Sequence, residues 1–175
     1  MKEIWTMGEL LVEIMRPRAG MQLDEPGEFL GPFPSGAPAI FIDTAARLGH
    51  SAGIIGGVAA DDFGDCVIER LREDGVDVRF VERFPGRATA VAFVTYFEDG
   101  ARKFIYHIDG TPAVMTRFSE AAAGGNPAFF HVMGCSLMAN DDFRSEIFKA
   151  VECFHAAGAR ISFDPNIRSE LLGDR

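Results

Sequence analysis

The chain has 175 residues, 47% of them hydrophobic, a mean hydropathy of +0.07 and a formal net charge of −9. That size and balance suit one globular domain with its own core and exclude a disordered chain. The acidic excess, with fourteen arginines and three lysines scattered along the sequence, excludes nucleic acid and anionic membrane as ordinary partners.

In chain order, Ile4 to Met7 and Leu10 to Met15 read as short strands separated by Gly8-Glu9, and residues 17–34 are too rich in Pro and Gly for a regular element. Ser35, Gly36, Ala37 and Pro38 then supply a capping residue, a residue without bulk and a proline, and open a helix that Gly49 closes. Ser51 to Val58 is a Gly-interrupted apolar strand. Asp61-Asp62 start a helix with Phe63, Val67, Ile68 and Leu71 on one side and Gly75 at its end. Thr89 to Phe97 and Lys103 to Ile108 flank Asp99-Gly100 and predict a β-hairpin. Ala128 to Met133 predicts a buried strand and Asp141 to Ala157 a helix that buries Phe143, Ile147 and Phe154. Arg160 to Phe163 predicts a further strand. This order predicts an α/β fold: a parallel sheet with helices on both faces and an antiparallel excursion able to cover a site.

Cys66, Cys135 and Cys153 are odd in number and widely spaced, which signals neither a disulfide framework nor a zinc site and makes a reducing cytoplasm the simplest setting. No run of 18 apolar residues occurs, and residues 1–15 carry acids and no cleavage-site pattern, so neither export nor membrane spanning is expected. There is also no phosphate loop ending in Gly-Lys, and the cluster Gly53, Gly56, Gly57 does not match G-x-G-x-x-G. The zinc-protease, nucleophile-elbow and EF-hand patterns are missing, as are internal repeats.

Six segments do form a pattern. Gly8-Glu9-Leu10-Leu11-Val12-Glu13, Ser35 to Ala39 with Ala46 to Gly49, Gly56 to Gly64, Gly75-Val76-Asp77, the 89–108 hairpin and Phe163-Asp164-Pro165-Asn166-Ile167-Arg168 follow one another along the chain. In this order they resemble the N-terminal half of the ribokinase-like, or phosphofructokinase-B-type, carbohydrate kinases. Within that family the first and last runs are most similar to 2-keto-3-deoxygluconate kinases and to ketohexose kinases such as fructokinase or tagatose kinase.

The resemblance implies ATP-dependent phosphoryl transfer to a hydroxyl of a ketohexose or a 2-keto-3-deoxy sugar acid, with Mg²⁺ accompanying ATP. It implies that residues 1–175 form the N-terminal part of one such domain, with lid segments at about 9–33 and 88–108. Substrate binding is then expected from Glu13, Ser35, Gly36, Ala37, Ile40, Tyr106 and Arg168, with Arg102 or Lys103 facing the substrate from the lid. Asn166 and Arg168 are expected to position phosphate. The expected partners are a small sugar and a second copy of the chain, paired through the lid. The family's catalytic base lies in a Gly-x-Gly-Asp motif of the C-terminal half, together with the adenine pocket. This sequence holds no such motif, so no catalytic residue and no metal ligand is expected here, and the chain alone is expected to have little activity.

Three positions depart from the family pattern. Ser35-Gly36 stands where Gly-Gly is usual, Ile40 where Asn is usual, and Ala59 where Gly is usual. Loss of that Asn puts an apolar wall where a hydroxyl-binding amide would be. Plainer roles remain open: Ser35-Gly36 as a helix cap, Glu13 as a solvated strand residue, and Asp61-Asp62 as the cap of the next helix. A non-catalytic sugar-binding or chain-pairing remnant is the alternative to a kinase half.

Overall fold

A computed structural model of the chain describes residues 2–167. Its strands, in chain order, are β1 (Glu3–Met7), β2 (Leu11–Met15), β3 (Leu30–Ser35), β4 (Ser51–Ala59), β5 (Val76–Phe84), β6 (Ala90–Tyr96), β7 (Arg102–His107), β8 (Pro127–Met133) and β9 (Arg160–Asp164). The α-helices are α1 (Ala37–Arg47), α2 (Asp62–Glu73), the short α3 (Gly134–Met138) and α4 (Asp141–Ala156).

β5, β4, β1, β8 and β9 lie side by side in that order as a five-stranded, all-parallel sheet. A parallel sheet needs cover on both faces. On one face α1 and α2 bring Ile42, Ala45, Val67 and Leu71 against Ile54 and Val58 of β4. On the other, α4 brings Phe143, Ile147 and Phe154 against Trp5, Phe130 and Val132, with the Phe130 and Phe154 rings stacked 4.5 Å apart. Each fully buried side chain of this kind contributes about 1.5–3 kcal/mol, so these two layers hold the fold.

The remaining strands form a smaller sheet in the order β3-β2-β6-β7. Its outer pairs, β2 with β3 and β6 with β7, are antiparallel, whereas the central pair β2–β6 is parallel. The sheet is tied to the larger one by Asp61, the residue before α2. Its carboxylate accepts from the Gly64 N–H (2.8 Å), the Thr89 hydroxyl (2.6 Å) and the Thr89 N–H (2.9 Å). Burial alone would raise the Asp61 pKa, but these three donors and the nearby Arg83 hold it below the ordinary range. The cap expected at Asp61 is present, and it also anchors the start of β6.

Three elements depart from the sequence expectation. β3 lies inside the Pro/Gly-rich stretch: Pro32 and Pro34 have no N–H to donate, which an edge strand tolerates. β5 is also an edge strand, half-exposed with charged residues between apolar ones. α3 is a five-residue turn directly after β8, too short for a helical period. At the start of α1, Ser35 stays in β3 and caps nothing. Gly36 is the residue before the helix, at φ +109°, where a side chain would collide with the Glu9 carbonyl.

Candidate functional site

The smaller sheet overhangs the carboxyl ends of β1 and β8, the edge at which open parallel sheets gather ligand sites. Between them lies a cavity of about 180 Å³ lined by Glu13 of β2, Ser35 of β3, Gly36, Ala37 and Ile40 at the start of α1, and Tyr106 of β7. These six residues come from segments far apart in sequence. At the helix start Pro38 has no N–H and no side chain caps the first turn, so the amides of this turn can serve an oxygen-rich ligand.

The period-2 geometry of β7 decides which of its cations reaches the cavity. Arg102, Phe104 and Tyr106 share the inner face and line it, whereas Lys103 falls on the opposite face. The rings of Phe104 and Tyr106 stack at 5.2 Å, and the Arg102 guanidinium lies 5.6 Å from the Phe104 ring. The inner face of the small sheet is thus an aromatic ladder ending in a positive charge.

Two further groups at this cavity were not singled out from the sequence. Glu9, only 7% exposed, accepts from the Cys135 thiol (3.2 Å) and from the Ser136 hydroxyl (2.5 Å) at the start of α3. It is reached because Gly8 lets the end of β1 pass under α1; a Cβ at Gly8 would run into the Pro38 ring. Cys135 is buried and also borders the cavity.

The structure does not bring every expected residue here. Asn166 lies in a separate groove beside α1, its side-chain amide 3.4 Å from Met133 Sδ and its N–H donating to Asp164. The loop after β9 turns onto the end of β8, which carries Asn166 away from the cavity. Arg168 lies outside the described residues. Among the described residues no group of three or more His, Cys, Asp or Glu stands together to hold a metal ion. The described residues also hold no Gly-Lys phosphate loop.

Residues 8–174 match the profile of the pfkB family carbohydrate kinase. The chain belongs to that family. The pfkB chain is 35% identical to the probable fructokinase-3 of Arabidopsis thaliana over 170 residues, 96% of this chain and 49% of that relative. It spans about half the length of the curated relatives it matches. Among solved structures it superposes on a candidate ribokinase II from Escherichia coli with a TM-score of 0.90 and 44% identity, covering 99% of this chain and 56% of the other. That protein has also been crystallised with ATP and Mg²⁺. A fructokinase from Xylella fastidiosa, 29% identical, gives a TM-score of 0.84 over 98% of this chain and 53% of its own. The pfkB fold is therefore the α/β architecture described above, with its two sheets in the same relation.

Proposed function

We propose that this chain supplies the acceptor-binding half of an ATP-dependent carbohydrate kinase. The observation that carries the reading is the convergence of Glu13, the Gly36–Ala37 amides and Tyr106 on one cavity. Carboxylates accept from sugar hydroxyls and amides donate to sugar oxygens, while aromatic faces pack against sugar C–H groups. The small sheet acts as a lid over the acceptor, excluding water that would compete for the phosphoryl group. The acceptor is a ketohexose or a 2-keto-3-deoxy sugar acid; the names of the fructokinase relatives support the first and Arg102 the second, as a counter-charge for a carboxylate.

ATP, Mg²⁺ and the catalytic base are assigned to the part of the relatives that this chain does not span. Two further features complete the reading. The lid pairs with that of a second copy, supported by Phe29, Leu30 and Ile105, which are exposed on the small sheet and the loop leading into it. The setting is cytoplasmic, supported by the free thiols of Cys66, Cys135 and Cys153.

The test is an amide-resolved NMR titration of the chain with fructose, tagatose and 2-keto-3-deoxygluconate, followed by addition of ATP and Mg²⁺. Shifts at Glu13, Gly36, Ala37 and Tyr106 with sugar, and no sugar phosphate formed by the chain alone, are expected. Sugar phosphate formed at an ordinary kinase rate would overturn the assignment of the base, and silence at all four residues would overturn the acceptor site.

A further inference from the structure

The most unusual residue at the cavity is Ile40. It is 54% exposed and borders three spaces at once. It lines the acceptor cavity, the crevice between α1 and α2 that holds Asp43 and Arg70, and the groove on the other side of α1 that holds Phe41 and Met133. Ile40 is therefore a partition, and it stands on the polar side of the acceptor cavity.

The cavity's walls differ in what they can read. Phe104, Tyr106 and Leu11 offer flat apolar surface, suited to the C–H face of a sugar. The start of α1 offers the edge-reading groups: the Ser35 hydroxyl, the Gly36 and Ala37 amides and then, one helical turn on, Ile40, whose N–H is already bonded to the Gly36 carbonyl. An acceptor lying edge-on to α1 thus meets hydrogen-bonding groups at one carbon and only methyl and methylene groups at the next. A hydroxyl at that second carbon would give up water on lid closure and gain no partner.

From this we infer that Ile40 is a specificity-determining residue and that the preferred acceptor carries a deoxygenated carbon where its edge meets this side chain. The inference rests on the acceptor-site reading above and adds the chemical class of acceptor. A hydroxyl added against an apolar wall is discriminated by about 10- to 100-fold, which sets the expected preference. Arg102, which also lines the cavity, does not enter this selection, because it addresses charge and not the absence of a hydroxyl.

The experiment is NMR titration of the chain with matched pairs that differ by one hydroxyl. The pairs are 2-keto-D-gluconate with 2-keto-3-deoxy-D-gluconate, and D-fructose with each of its monodeoxy derivatives. In the unaltered chain one deoxy position is expected to bind about 10- to 100-fold more tightly than its hydroxylated partner. Ile40→Asn, a change at an exposed position, is expected to erase or invert that preference. Ile40→Ala, which stays apolar, is expected to keep its direction. Equal or tighter binding of the hydroxylated member in every pair overturns the inference and leaves the acceptor site standing, as does a preference that Ile40→Asn does not change. Absence of binding by all sugars, with unchanged spectra at Glu13, Gly36 and Tyr106, overturns both.

Discussion

The imidazole of His131 lies on the ring of Phe41, their centroids 3.9 Å apart and their planes 21° from parallel. This stack joins β8 to α1 beneath the helix start that borders the cavity. Nδ1 of His131 is 3.0 Å from the Ser162 hydroxyl, and burial pushes its pKa down against the opposing pull of Asp164. An unfolded histidine takes up a proton near pH 6.5, so below that pH the unfolded state binds more protons than the folded one and stability falls. Denaturation at pH 7.5 and 5.5 should show a loss of at most about 1.4 kcal/mol per pH unit from this residue, and His131→Gln should lose less.

Asp61 makes the opposite kind of contribution at lower pH. Its pKa is held below the ordinary value, so its stabilisation is present above about pH 4 and is lost as pH falls through the folded-state pKa. Asp61→Ala removes both the α2 cap and the clamp on Thr89 and should cost about 1–2 kcal/mol at pH 7 by urea denaturation. At pH 3 the gap between variant and parent should narrow.

Arg16 explains how an irregular loop is held. It is only 2% exposed, and its guanidinium donates to the carbonyls of Gln22 (2.9 Å), Glu28 (3.0 Å) and Glu25 while lying 4.0 Å above the Phe29 ring. A lysine cannot reach three carbonyls spread around a plane. Arg16→Lys should expose residues 20–28 to proteolysis at a rate clearly above that of the parent, with about 2–3 kcal/mol of lost stability.

Glu13 and Glu9 bear on binding. Replacing Glu13 with Gln keeps the shape of the side chain but removes the charge from its hydrogen bonds, which should weaken sugar binding about 10-fold or more by titration. Glu9→Gln should do the same and also disturb Ser136, because that hydroxyl donates to the carboxylate.

Self-association is read by sedimentation. Placing a charge at Ile105, on the face of β7 away from the cavity, as Ile105→Lys, should shift the chain toward monomer without changing sugar binding. An unchanged mass distribution would remove the lid from the pairing surface.

Much of the architecture was legible because it rests on mainly apolar runs and stripes: Ser51 to Val58 and Ala128 to Met133 read as buried strands, and Phe143, Ile147 and Phe154 read as core-facing. The edge strands β3 and β5 were not legible. An edge lacks the apolar continuity that marks a buried strand, and in β3 prolines stand where turn residues are usual. Within the site, the glycine-led helix start and the inner residues of β7 were both named from the sequence, and they border one cavity. Glu9 was hidden because its burial depends on α3, which no helical period announces. The place of Asn166, in the groove beside α1, was not legible because sequence order at a strand end does not say which way the following loop turns.

The parallel pairing of β2 with β6 has a consequence for how the molecule assembles. Between these neighbours runs the whole segment 16–89, which contains α1, α2, β4 and β5. The cover over the cavity is thus no independent flap that could zip up from a local turn. It closes only after that intervening stretch has found its place, so damage to the α2 region disables the roof as surely as damage to the roof itself.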